Sequence, residues 1–182
     1  IFHPTLIFDF LGLHWIEDLF WLGLAIKFQK ENAKKELVKR SHSRIDYRNQ
    51  PCTILAGGSS GDGLQEMEGH AHLLAEAFRN YQGIIISGGT WTGISKMAGD
   101  LKNAYPEHIY TIGYLPHARK AEADEDRHRY DEIRFTEGDD FSPLEATRYW
   151  TDLIATGWNP QSVKLLAING GNVSSAECIL AL

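Results

Sequence analysis

With 182 residues, 43% of them hydrophobic and 23% charged, the chain can bury a core in one domain plus an extension without disulfide or metal staples. Its formal net charge of −6 excludes a global basic field, so no nucleic-acid partner is expected. Cys52 and Cys178 are too few for a disulfide framework or a cysteine-rich metal site, which favours a reducing, cytoplasmic setting and no metal.

The chain opens on an aromatic and leucine-rich stretch, residues 8–26, of near membrane-spanning length. Asp9, Glu17 and Asp18 lie inside it, and carboxylates at mid-bilayer are costly, so a span is not expected; membrane association of this segment is disfavoured, and its alternative form is a helix lying in the membrane interface. A secretory signal is excluded by the lack of a basic start and a small-residue cleavage site. Trp15, Leu19, Leu22 and Ile26 recur at helical spacing and predict an amphipathic helix, suited to packing on the domain or joining copies of the chain as a homo-oligomer. The basic run that follows, Lys34, Lys35, Lys39 and Arg40, is interleaved with Glu31 and Glu36 and reads as a solvated face. A polar linker then leads into the main domain, giving expected boundaries of 1–48 for the helical extension and 49–182 for the domain.

Cys52-Thr53-Ile54-Leu55-Ala56 predicts the first strand, ending in Gly57-Gly58-Ser59-Ser60-Gly61. Leu64, Met67, Ala71, Leu74 and Phe78 mark one face of the helix after it. His70 and His72 lie on that helix at the wrong spacing for a metal pair.

Gly83-Ile84-Ile85-Ile86-Ser87 follows, an unalternating apolar run of the kind that suits a strand buried on both faces in a parallel sheet. It stops at Gly88-Gly89-Thr90-Trp91-Thr92-Gly93, and a helix through about Asn103 carries Ile94, Met97, Ala98 and Leu101 inward. A strand from His108 to Tyr114 breaks at Pro116. The stretch from His117 to Glu132 is crowded with charge and reads as a lid or a solvated excursion, from which Arg119, Lys120, Arg127 and Arg129 could reach an anionic ligand.

A short strand near Ile133-Arg134-Phe135 precedes Ser142-Pro143-Leu144-Glu145, a helix start with serine at the cap, proline at the first position and glutamate three residues after the cap. That helix is expected to end at Gly157. Val163 to Ile168 predicts the last strand, opening into Asn169-Gly170-Gly171-Asn172-Val173-Ser174-Ser175 and a final helix. Ser174 to Glu177 reads as a second capping box, with a ribose ligand or a catalytic acid or base as the other roles open to Glu177. The lack of a starting Met and a helical pattern running to Leu182 suggest a longer protein, with a further strand to complete the sheet.

Three strands thus end in a Gly-Gly pair directly before a helix. On one parallel sheet all three turns would share an edge, where helix N-termini and loop amides converge on anionic ligands. The fold expected is α/β, a Rossmann-like three-layer sandwich with a mostly parallel sheet plus the N-terminal helix. The sequence lacks the P-loop and the Gly-x-Gly-x-x-Gly dinucleotide fingerprint.

Gly170-Gly171-Asn172-Val173-Ser174-Ser175-Ala176-Glu177 resembles the Pro-Gly-Gly-x-Gly-Thr-x-x-Glu motif of Lonely Guy phosphoribohydrolases. Ser87-Gly88-Gly89-Thr90-Trp91-Thr92-Gly93-Ile94, with Gly99-Asp100-Leu101 after it, is similar to the Thr-Gly-Gly-x-x-Thr-Gly-Val…Gly-Asp signature at the N-terminus of melastatin-type TRP channels and of prokaryotic relatives of that domain. Both belong to the SLOG superfamily, and the resemblance spans residues 51–182. It implies a sensor domain binding an NAD-derived or related nucleotide, such as ADP-ribose or its cyclic forms, with no further cofactor, and passing occupancy to an attached effector. The residues it assigns to the ligand are Gly57, Gly58, Ser59, Ser60, Gly88, Gly89, Thr90, Trp91, Thr92, Gly93, Gly170, Gly171, Asn172, Ser174 and Glu177. In the hydrolases the motif glutamate and an arginine on a neighbouring helix cleave a ribose-base bond. Here Asn169, Val173 and Ser174 replace the motif's proline, third glycine and threonine, and Lys96 is the only cation on the helix after Gly93 near that arginine's place. The reading therefore favours a sensor, and the alternative is a nucleotide N-glycosidase with Glu177 as its acid or base.

Overall fold

The computed structural model describes residues 20–25, 33, 35, 38, 50–58, 64–121 and 128–182. The chain divides into two compact units, one of Ile1–Arg48 with Ala146–Pro160 and one of Asn49–Glu145 with Gln161–Leu182.

In the first unit residues 20–25 are helical, with Leu22 and Ala25 buried and Phe20 exposed, which is amphipathic at helical spacing. Trp15, Leu19 and Ile26, which mark the rest of the expected helix, lie outside the described residues.

The second unit is built on a five-stranded sheet, β1 (Cys52–Gly57), β2 (Gly83–Ser87), β3 (Ile109–Pro116), β4 (Glu132–Thr136) and β5 (Val163–Ile168). The strands run in the order β4-β3-β2-β1-β5 and every pairing is parallel. Ile54 aligns with Ile86 and Ile86 with Ile112, so these side chains share one face, while Thr53, Ile85 and Thr111 share the other. Both rows are buried, as the isoleucine run required.

On the second face Leu55, Ile85 and Ile109 form a core with Met67, Leu74 and Phe78 and with Ile94, Met97, Ala98 and Leu101. Those partners come from α1 (Leu64–Gly69), α2 (Ala71–Ala77) and α3 (Gly93–Ala104). The helix expected after β1 is therefore two helices: the chain breaks at Gly69 and His70, where the His70 amide donates to Met67 O and α2 restarts. The apolar spacing survives the break, which explains why sequence periodicity did not reveal it. The fold is α/β and Rossmann-like, with an all-parallel sheet flanked by helices.

α4 (Pro143–Ala155) begins where its capping signal lies. The Ser142 hydroxyl accepts from the Leu144 amide at 3.1 Å, and the Ser142 amide donates to Glu145 Oε2 at 2.8 Å. Its other end closes at Gly157, with φ +88°: the Gly157 and Trp158 amides reach Ile154 O and Leu153 O, the two bonds of a Schellman motif. α5 (Asn172–Ala181) follows β5.

Candidate functional site

Because all five strands are parallel, the turns after β1, β2 and β5 leave from one edge of the sheet. β1 lies between the other two, so these turns spring from three neighbouring strands. From β1 the chain steps outward through β2, β3 and β4, then returns to place β5 on the opposite side of β1. The strand order thus reverses between β1 and β5, the kind of point where open α/β sheets open a ligand crevice.

The three turns meet through their backbones. The Gly58 amide donates to Asn169 O at 3.0 Å, and the Ile94 amide donates to Gly58 O at 3.1 Å. A Cβ on Gly57 would stand 2.3 Å from Ile168 O and 3.1 Å from the Ile94 Cβ, and one on Gly170 would stand 3.5 Å from the Gly57 Cα. Glycine is required at 57 for the chain after β5 to pass, a packing reason independent of any ligand. Ser59 and Ser60 lie outside the described residues.

The turn after β2 has the same dual character. Gly89 has φ +75°, and its missing side chain leaves room for Gly113 Cα and Ile133 Cδ1, each 3.2 Å from where a Cβ would sit. Gly88 faces Ser95 Oγ and the Phe141 ring. Both glycines therefore serve close contact inside the unit. Thr90 is buried and turns its hydroxyl to Thr92 O at 3.5 Å, away from solvent. Thr92 and Trp91 are exposed, Trp91 at 38%, and Gly93 takes φ +57° at the first position of α3. Lys96 N makes the first helical bond, to Thr92 O, so the Gly93 and Ser95 amides precede the helical ladder while Ile94 is spent on Gly58.

At the third turn the expected capping box is corrected. α5 begins at Asn172, its cap is Gly171 in extended conformation, and the Ser175 amide and hydroxyl both bond to Gly171 O. Ser174 is the third helical residue and Glu177 the sixth, too far along for a return bond to the cap. Gly171 opens onto space, with nothing within 4 Å of its Cβ position, and Asn172 is exposed beside it. Gly170 is filled from behind by Ser174, whose buried Oγ would meet a Cβ at 2.5 Å, and its amide is held by Asn169 Oδ1 at 2.8 Å. The Asn172, Val173 and Ser174 amides thus precede the first helical bond of α5.

Beneath the second turn runs a buried polar chain that the sequence did not disclose. Ser87 Oγ donates to Leu55 O at 2.9 Å and lies 3.4 Å from Ser95 Oγ, while the Tyr130 hydroxyl donates to Ser95 O at 2.7 Å. Tyr130 is buried, and burial pushes its phenol far above the ordinary range, so it is a fixed donor. This corrects the view of residues 117–132 as solvated throughout: the returning arm, 128–132, is docked. Gly99 makes room for it, since a Cβ there would stand 2.8 Å from the Arg129 Cβ, and Gly113 does so for the Tyr130 ring. Asp100 then takes Arg129 at 2.6 Å and Lys96 at 2.7 Å, and Asp131 accepts from the Thr111 amide at 2.8 Å while pairing with Lys102 at 2.9 Å. The Gly99-Asp100 pair of the signature is thus a clamp on this arm. The only sequence signal for it was an isolated tyrosine among charges. Arg127 lies outside the described residues.

Two other titratable groups bear on chemistry. Cys52 sits in β1, where burial pushes its thiol up to about 12, which removes it as a nucleophile at neutral pH. Glu145, in the first turn of α4, is buried against Thr136 at the end of β4, and burial raises its carboxyl above the usual range against the opposing bonds from Thr136 and Ser142. Among the described residues no group of His, Cys, Asp and Glu is arranged to hold a metal. Compared with known proteins, the sequence matches no family model and no curated protein.

Proposed function

We propose that this sheet edge binds a nucleotide derived from NAD or closely related to it, such as ADP-ribose or cyclic ADP-ribose, and that occupancy is passed to an attached effector or oligomer. The reading is carried by one observation: three glycine-paired turns leave adjacent parallel strands at a topological switch point and touch one another through backbone contacts. The unladdered amides at the starts of α3 and α5 suit phosphate oxygens, and helix dipoles there favour negative charge. Trp91 offers an exposed ring for a base, and the resemblance to SLOG domains supports the same ligand class. Among the described residues no helix is long and apolar enough to cross a membrane; the proposed cytoplasmic setting rests on the sparse cysteines alone.

One finding keeps the N-glycosidase reading alive. With α5 starting at Asn172, Glu177 is the sixth helical residue, about 7.5 Å along the axis from the first and within a ribose's reach of a phosphate at the turn. The two readings separate in one assay. Purified protein is incubated with AMP, NAD and ADP-ribose while small molecules released from untreated protein are identified by mass spectrometry. A nucleotide that binds and is recovered intact supports the sensor; free base supports the hydrolase.

A further inference from the structure

The third glycine turn carries a chemistry of its own. β5 ends at Ile168, and the chain enters the turn through Asn169-Gly170, the one Asn-Gly pair in the sequence. Asn169 has φ +47°, alone among the described non-glycine residues in the left-handed region, and both members of the pair are exposed. Asparagine tolerates that backbone because its short amide bonds locally, and here it does so: the Gly170 amide donates to Asn169 Oδ1 at 2.8 Å.

That bond holds the Gly170 nitrogen beside the side-chain carbonyl of Asn169. Oδ1 is carried by Cγ, so the nitrogen lies next to the carbon with which it can close a cyclic imide. Among the described residues this amide has no backbone partner, so no ladder bond withholds its proton. Gly170 has no Cβ to obstruct the approach, and Gly171 after it has nothing within 4 Å of its Cβ position, which gives the turn space to rearrange. Asn172 provides the contrast. It is the first residue of α5, and the β-branched Val173 crowds the nitrogen that would have to attack it.

We propose that Asn169-Gly170 is a site of spontaneous deamidation that places a carboxylate in the third turn. Base removes the Gly170 amide proton, the nitrogen attacks Asn169 Cγ to form a new N–Cγ bond, and the side-chain nitrogen leaves as ammonia. Water then opens the imide. Opening at Cγ gives aspartate; opening at the backbone carbonyl gives isoaspartate, in which the main chain runs through Cγ and is longer by a methylene. The only co-reactant is water, and nothing is oxidised or reduced. Either product sets a full negative charge beside the start of α5 and beside Gly58, whose amide donates to Asn169 O at 3.0 Å. The modification needs no ligand. Its consequence rests on the reading of this edge as a nucleotide site: the new charge opposes a phosphate held there.

The folded protein is held at mildly alkaline pH and digested with trypsin, which cuts after Lys164 and releases a peptide from Leu165 that contains both asparagines. The mass gain of amide-to-acid exchange is expected at Asn169 and not at Asn172, and an isoaspartate methyltransferase labels the same peptide. No gain at Asn169, an equal gain at both, or a gain confined to urea-unfolded protein overturns the proposal. Asn169→Gly, which keeps the left-handed backbone, abolishes the label on that peptide. Calorimetric titration then reads the consequence: the modified protein binds ADP-ribose about tenfold or more weaker, and Asn169→Asp shows the same weakening without ageing. Asn169→Gly keeps its own starting affinity through the same incubation. Modified protein that binds as tightly as fresh protein overturns the consequence and leaves the nucleotide reading standing. Fresh wild type that does not bind ADP-ribose overturns the nucleotide reading, while the mass gain at Asn169 upholds the modification site.

Discussion

The Tyr130 hydroxyl donates to the Ser95 carbonyl at 2.7 Å across 35 positions of sequence, joining the arm that enters β4 to the first turn of α3. Above this bond lies the Gly88-Gly89 turn, and below it Ser87 ties the end of β2 to Leu55 O. Tyr130→Phe keeps the ring that Gly113 accommodates and removes the second bond to a carbonyl that the helix ladder still engages, at a cost of about 0.5 to 1.5 kcal/mol. Chemical denaturation measures it; a loss below about 0.5 kcal/mol would show the bond to be unimportant.

Asp100 is the shared partner of Lys96 and Arg129, and both pairs are partly exposed. Asp100→Asn is therefore expected to cost only about 0.5 to 1.5 kcal/mol, and less at high salt. Its diagnostic effect is local: hydrogen exchange rises at residues 128–131 more than in β1 or β2. Uniform change across the sheet would show that the pair does not clamp the arm.

Two glycines separate packing from binding. Gly57→Ala would drive a methyl to 2.3 Å from Ile168 O, so β1 and β5 must part and stability falls by several kcal/mol, of order 2 or more. Gly171→Ala meets nothing within 4 Å and its backbone is extended, so the fold should hold within about 1 kcal/mol. If the turn cradles a phosphate, however, the added methyl occupies the approach and nucleotide affinity falls. Unchanged affinity in Gly171→Ala would remove the third turn from the site.

These contrasts explain what the sequence could convey. Ser142-Pro143-Leu144-Glu145 was readable because a capping box closes within four residues, and its bonds form as spelled. Gly83-Ile84-Ile85-Ile86-Ser87 was readable because burial on both faces leaves no polar alternation. Ser174 to Glu177 fits the capping pattern equally well, yet Gly171 offers an earlier start two turns of register away from Glu177, and the hydrogen bonds of Ser175 choose it. Gly89 and Gly99 could not be decoded, since their neighbours Gly113, Ile133 and Arg129 come from other strands and arms. The same holds for Arg119, whose ring partner, Phe141, lies on a loop beyond β4.

Glu145 gives the fold a pH signature. Its carboxyl is raised by burial, so the folded state holds the proton more tightly than the unfolded chain. The stability it contributes is full below the ordinary carboxyl value of 4.5 and is lost as pH rises through the higher folded value. Glu145→Gln, which keeps a capping acceptor without the charge, should lack this loss. Melting temperatures of the two proteins are expected to diverge in favour of the variant as pH rises from 4.5 toward neutrality. Parallel profiles would place Glu145 at its ordinary value.

The central claim is that three backbone turns on adjacent strands form one receptor for a nucleotide. Thermal unfolding of the purified protein with ADP-ribose, beside the same titration on Gly171→Ala, tests it most directly. A ligand present at 100 times its dissociation constant stabilises by about 2.7 kcal/mol, so a saturable rise in melting temperature is predicted for wild type and a weakened one for the variant. No shift with ADP-ribose, NAD, AMP or cyclic ADP-ribose at millimolar concentration would contradict the account.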